Sequence, residues 1–173
     1  METKDNKLKR RVHVPDRLQR FLRTVARRDG MISVHVGVVV LRGRRLGLKD
    51  GCIIPSKDTR GDDMAFALES LMEDIGFKDF QSGRYLGWFD LESKDGGLFR
   101  QYNFEMLLED DPDGAGSNAL MRKKPDKRAE KVMSDGLVFI DIEDIAYRRL
   151  PSLDRRTARA ITSLLRRNGM GLD

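Results

Sequence analysis

A chain of 173 residues is long enough for one domain with a sizeable core and hardly long enough for two. Its 33 lysines and arginines outnumber 28 aspartates and glutamates, and the resulting +5 favours an anionic partner without identifying it. One cysteine, Cys52, excludes an internal disulfide; two histidines argue against a zinc site of the usual kind, and no apolar run approaches the ~20 residues of a membrane span.

Residues 1–12 read as a basic tail, with Lys7, Lys9, Arg10 and Arg11 clustered and no apolar segment of the signal-peptide kind, so a cytoplasmic protein is the simplest expectation. Pro15-Asp16 opens a helix whose apolar stripe is expected at Leu18, Phe21, Leu22 and Val25, ending near Asp29-Gly30. Its other face carries Arg17, Arg20, Arg23, Arg27 and Arg28, either a solvated basic face or a surface for nucleic acid or an acidic partner. Residues 32–41 form a β-branched run and the clearest strand in the chain. A turn at residues 42–45 leads to a return strand at 46–49. His35 lies within the strand's alternation, as a core or edge histidine rather than a ligand.

Residues 55–63 read as a polar loop feeding an amphipathic helix. Met64, Leu68, Leu71, Met72 and Ile75 fall on one side of it at helical spacing. Asp63, Glu69, Ser70, Glu73 and Asp74 lie on the other. Asp62 or Asp63 suits the N-cap, and Gly76 suits the left-handed residue that ends a helix. An acidic face of this kind is either solvated or a site for Mg²⁺ or Mn²⁺, hard cations that take oxygen ligands and keep waters for phosphate substrates.

This segment resembles the signature helix of the Nudix superfamily, whose pattern is G, five residues, E, seven residues, R-E, an aliphatic, any residue, E-E, any residue, G and an aliphatic. The match runs through Leu71, Glu73, Asp74, Gly76 and Phe77. The chain departs from it at Glu69-Ser70, where the family has Arg-Glu, at the shorter Asp74, and at Gly61, where an earlier glutamate belongs. The resemblance implies a metal-dependent diphosphate hydrolase with Glu73 and Asp74 holding the cation, Ser70 standing where a third ligand is lost, and Glu69 as auxiliary. Glu69 and Glu73, one turn apart, make a substitute pair.

Beyond the helix, residues 85–91 and 98–108 read as a strand pair joined by a turn at 93–97. In the second strand Phe99, Gln101, Asn103 and Glu105 share one side, and Arg100, Tyr102, Phe104 and Met106 the other. Gln101, Asn103 and Glu105 either line a substrate pocket or belong to an exposed sheet face; Arg100 reaches such a pocket only around an edge. Residues 109–136 have loop chemistry, and Asp111 and Asp113 lack the terminal glutamate of a calcium loop. A basic cluster at residues 122–128 follows, and Glu130 lies where many Nudix relatives have a catalytic base. Residues 137–142 are a strand, 143–146 a helical turn, and Pro151 and Asp154 open a terminal helix burying Ala158, Ile161, Leu164 and Leu165 and ending at Gly169.

The expected architecture is α+β, a Nudix-like α/β/α sandwich with a mixed sheet. Residues 1–30 form a basic tail and helical extension, and residues 31–169 the Nudix-like domain. Two functions follow from the resemblance. One is a hydrolase acting on a nucleoside diphosphate-linked or other diphosphate compound, with turnover impaired by the altered helix. The other is a binding module that keeps the fold but not the chemistry and recognises a nucleotide, RNA or a protein.

Overall fold

The computed structural model describes residues 12–108 and 137–172. Helix α1 (Asp16–Arg28) precedes strands β1 (Ser33–Arg42), β2 (Arg45–Lys49) and β3 (Ser56–Asp58). Helix α2 (Met64–Ile75) then leads to β4 (Phe80–Glu92), β5 (Leu98–Leu108) and β6 (Leu137–Asp141). Two helices close the chain, α3 (Ile142–Tyr147) and α4 (Arg155–Arg167). No helix among the described residues is long and apolar enough to cross a membrane.

The strands form one six-stranded mixed sheet in the order β4-β5-β1-β2-β6, with β3 set beside β1. The β-branched strand β1 is its spine. It runs parallel to β5 from Ser33 opposite Phe99 to Val40 opposite Met106. Its other edge is shared, with β3 at residues 35–37 and β2 at 41–42, both antiparallel. A strand this central is buried on both faces, so it reads as a continuous apolar run. The polar β3 has no such signature, because its pairing rests on backbone groups that no side-chain pattern reports.

Alternation along β1 separates two cores. Val36, Val38 and Val40 pack under α1 and α2 together with Leu68, Met72, Tyr102, Phe104 and Met106. Val39 faces the opposite side, where Leu46, Leu48, Ile142, Ile161, Leu164 and Leu165 pack under α3 and α4. The result is the expected helix–sheet–helix sandwich. Helix α2 follows its sequence pattern closely. Met64, Leu68, Leu71, Met72 and Ile75 are buried, Asp63 caps the first turn through Ala65 N and Phe66 N, and Gly76 ends the helix at φ 103°. Helix α4 begins at its Asp154 cap, which accepts from Thr157 N.

Helix α1 turns Leu22 and Leu18 to the core as expected but departs from the expected stripe at Phe21. Phe21 is 64% exposed, and the buried positions are Gln19, Leu22 and Ala26. Two contacts turn the helix this way. The Gln19 amide accepts from Met64 N at 2.9 Å and donates to Asp63 Oδ2 at 3.2 Å, joining α1 to the start of α2. Tyr102 Oη donates to the Leu22 carbonyl, fixing the next turn over the sheet. A polar residue therefore lies on the buried stripe, a choice that hydrophobic spacing cannot anticipate. Strand β4 also starts earlier than expected, at Phe80, whose fully buried ring opens a segment interrupted by register shifts between Ser82 and Gly87.

Candidate functional site on the acidic helix

Strand β3 runs past the outward side of α2, and alternation sends Lys57 toward the helix while Asp58 faces His35. Lys57 Nζ donates to Ser70 Oγ at 2.7 Å and to Asp74 Oδ2 at 3.0 Å. Ser70 and Asp74 stand one turn apart, so one ammonium bridges both. These are two of the three positions expected to ligate a cation. Asp74 and Glu73 are exposed, while Glu69 and Ser70 are partly covered.

The fit of a divalent cation can be judged from these donors. Mg²⁺ or Mn²⁺ takes oxygen ligands, typically one or two carboxylates completed by waters and substrate phosphates, and those carboxylates must be free of a competing cation. Ser70 brings no charge, and the charge of Asp74 is matched by Lys57. Among the described residues no three His, Cys, Asp or Glu side chains gather closely enough to hold a metal ion. The Ser70–Asp74 pair does not fit the metal while the ammonium stands there. Glu69 and Glu73 lie one turn apart on the same helix, each with contacts of its own within the protein.

The residues expected to bind substrate divide between the two sheet faces. Arg100 is 4% exposed and turns toward α1. Its Nε and Nη2 donate to the two oxygens of Asp90 at 2.6 and 2.9 Å, and its Nη1 donates to Asp29 Oδ2 at 2.9 Å. These bonds hold the Asp29 carboxyl below its ordinary pKa and raise that of the guanidinium. Gln101 and Asn103 are buried on the opposite face, where Gln101 Nε2 donates to Asn103 Oδ1 at 2.8 Å and Asn103 Nδ2 donates to the Gly87 carbonyl at 3.3 Å. Glu105 lies 3.9 Å from Arg84. Arg100 is thus separated from Gln101, Asn103 and Glu105 by the thickness of the sheet. The expected base Glu130 and the basic cluster at residues 122–128 lie outside the described residues.

Two concavities are lined by arginine instead. One, of about 380 Å³, lies between α1 and the loop that enters α2, with Arg23, Arg27 and Arg60 beside Ser33 and Thr59. Arg23 anchors its wall by donating to Thr59 Oγ1 at 3.4 Å and to the Asp62 carbonyl. The other, of about 490 Å³, lies between α3 and α4. Neither Lys57 nor the α3–α4 groove has a single-position signature in the sequence. The available hint for Lys57 is a lysine shortly before a helix whose acidic face lacks one expected carboxylate.

Several solved structures are similar to this chain. A UDP-X diphosphatase aligns at a TM-score of 0.50 with 16% identity, over 89% of this chain and 73% of that one. The fold is that of a Nudix domain. A Nudix hydrolase from Nitrosomonas europaea aligns at 0.48 with 16% identity, over 79% of this chain and 89% of that one. The E. coli ORF135 protein aligns at 0.46 with 14% identity, over 84% and 97%. No family model matches the sequence, and no curated protein matches it either. At such identities the likeness bears on the Nudix-like fold, and function rests on the residues of this chain.

Proposed function

We propose that this chain is a Nudix-fold binding protein for a phosphate-bearing compound, a nucleoside diphosphate derivative or another diphosphate, without metal-dependent hydrolysis at helix α2. The observation that carries this reading is Lys57 Nζ, 2.7 Å from Ser70 Oγ and 3.0 Å from Asp74 Oδ2. An ammonium already supplies the positive charge there, and a divalent cation on the same oxygens meets a like charge at close range. The side chain lost at Ser70 removes a further anionic ligand. Each ~1.4 kcal/mol of lost transition-state stabilisation is about tenfold in rate. The cleft between α1 and the α2 loop sets Arg23, Arg27 and Arg60 against one carboxylate, Asp58, a balance that supports an anionic ligand, and its 380 Å³ falls among small-molecule sites, which run from about 300 to 1,000 Å³.

A second reading keeps the enzyme, with Mg²⁺ or Mn²⁺ held by Glu69 and Glu73; their spacing of one turn favours it. Calorimetric titration with each cation and a screen of nucleoside diphosphate derivatives for released phosphate-bearing products separate the two. The binding reading expects no saturable cation uptake by the native chain, nucleotide retention without turnover, and weaker retention in Arg27→Ala. It also expects cation affinity to emerge in the Lys57→Ala, Ser70→Glu double variant, which removes the ammonium and restores a carboxylate. Metal-dependent turnover by the native chain that Glu73→Gln abolishes overturns it and selects the enzyme.

A further inference from the structure

The groove between α3 and α4 lies on the opposite side of the sheet from α2 and is independent of the function proposed there. Arg148, Arg149, Arg155, Arg159, Arg166 and Arg167 line it, and no aspartate or glutamate does. All six are exposed. Arg148 is partnered by Asp144 at 3.3 Å, and Arg166 lies over the Tyr147 ring at 5.7 Å and donates to its hydroxyl at 3.0 Å. Arg149, Arg155 and Arg159 make no ion pair among the described residues.

At its N-terminal end this arrangement works against the helix, whereas Arg166 and Arg167 stand in the last turn, where the dipole favours them. Arg155 and Arg156 stand in the first turn of α4, where the helix dipole is positive, and that turn contains no acidic side chain. Arg155 and Arg159 repeat the same charge one turn apart, which is also unfavourable. Only the cap at Asp154 offsets the sequence locally, and its carboxyl is held below its ordinary pKa mainly by the Thr157 hydroxyl.

We infer that this groove binds a single-stranded nucleic acid, with arginines on the phosphodiesters and Tyr147 under a base. Guanidinium groups match phosphate oxygens in pairs, which ammonium groups do not. From Arg155 to Arg166 the row extends about 16 Å at 1.5 Å per residue, longer than one diphosphate and suited to a chain of phosphates. Tyr147 is 67% exposed beside that row. A ring so placed stacks on an unpaired base, whereas a duplex keeps its base faces inside. The small residues Ala158 and Thr162 are among those that line the groove between the arginines.

The test is fluorescence anisotropy on the full chain with labelled 12-nucleotide oligouridine and oligothymidine, and with a duplex of the same length. The expected result is salt-sensitive binding of either single strand and weaker binding of the duplex. Arg149→Ala, Arg155→Ala and Arg159→Ala combined should flatten the plot of log K against log salt by roughly 0.7 for each phosphate no longer neutralised. Tyr147→Ala should weaken binding about tenfold or more at unchanged salt slope. These side chains are exposed, so thermal melting should show both variants folded. The proposal fails if neither strand binds, or if the triple variant binds as the native chain does. It also fails if the duplex binds as tightly, or if an oligoglutamate peptide of the same charge displaces the strand at equal concentration.

Discussion

Arg100 joins three parts of the molecule through one buried guanidinium. It reaches Asp90 on β4 and Asp29 at the end of α1, and its charge lies 5.2 Å from the Trp88 ring centre. Replacing it with leucine leaves Asp90 without its cation and Asp29 with only the exposed Arg28, 3.6 Å away. Both carboxylates are more than a third exposed and regain water, so the expected loss is about 2 kcal/mol rather than the full cost of a buried orphan charge. Chemical denaturation measures it, and Arg100→Lys should recover only part, because an ammonium cannot bond both Asp90 oxygens in parallel. Behind the same strand, Gly37 makes room for the Gln101–Asn103 pair: a Cβ there would collide with Asn103 Oδ1 and Gln101 Nε2. Gly37→Ala is expected to cost about 1–3 kcal/mol by overpacking. His35 adds a dependence on pH. Burial lowers its pKa below 6.5, more strongly than Asp58 at 3.8 Å raises it. The unfolded chain therefore takes up the proton first as pH falls, and the folded state loses stability through the window below 6.5. In His35→Gln that share of the slope should vanish, read as the difference between native and variant unfolding free energies from about pH 7.5 to 5.

At the scale of elements, α2 depends on α1 for its first turn. Asp63 Oδ1 accepts from Ala65 N at 2.8 Å, while Gln19 holds Asp63 Oδ2 and accepts from Met64 N. Asp63→Ala should cost about 1 kcal/mol, as N-cap losses do. Combined with Gln19→Ala the costs should not add, because the two side chains satisfy one set of orphan amides; a double-mutant cycle reads this coupling directly. The sequence made α2, β5 and α4 legible because each couples a clean period to a cap or a turn residue: Asp63 and Gly76, the 93–97 turn, Asp154. It left β3 hidden, since three polar residues acquire a strand conformation only by pairing with β1. It placed Leu18 and Leu22 on the core side of α1 but put Phe21 with them in place of Gln19, which goes inside to bond backbone groups that belong to a helix more than forty residues away. The candidate site was legible in the same uneven way. Spacing picked out the acidic face, yet the cation on that face comes from β3, the one strand that side-chain pattern does not reveal.

Across the described residues the molecule is a sheet with a separate core on each side, and each core is closed by a different pair of helices. On the α2 side, closure requires α1. Leu22 and Ala26 belong to the same buried cluster as Val36, Leu68 and Met106, and Val12 and Val14, ahead of the helix, are buried with them. The N-terminal helix therefore functions as part of the sandwich rather than as an appendage to it. Deleting residues 1–30 should uncover Tyr102, whose hydroxyl loses the Leu22 carbonyl, strip the Gln19 hydrogen bonds from α2, and leave Arg100 with Asp90 but not Asp29. On the α3–α4 side nothing is removed, and the packing of Leu46, Leu48, Ile161 and Leu165 stays within the remaining chain. The expected product is a chain with much of its secondary structure and one loosened core. Far-ultraviolet circular dichroism should change little beyond the loss of one helix, near-ultraviolet signal should collapse, and a hydrophobic dye should bind. A truncated chain that unfolds in a single sharp transition at the native temperature, without dye binding, would make the helix dispensable and confine the folding unit to residues 31 onward.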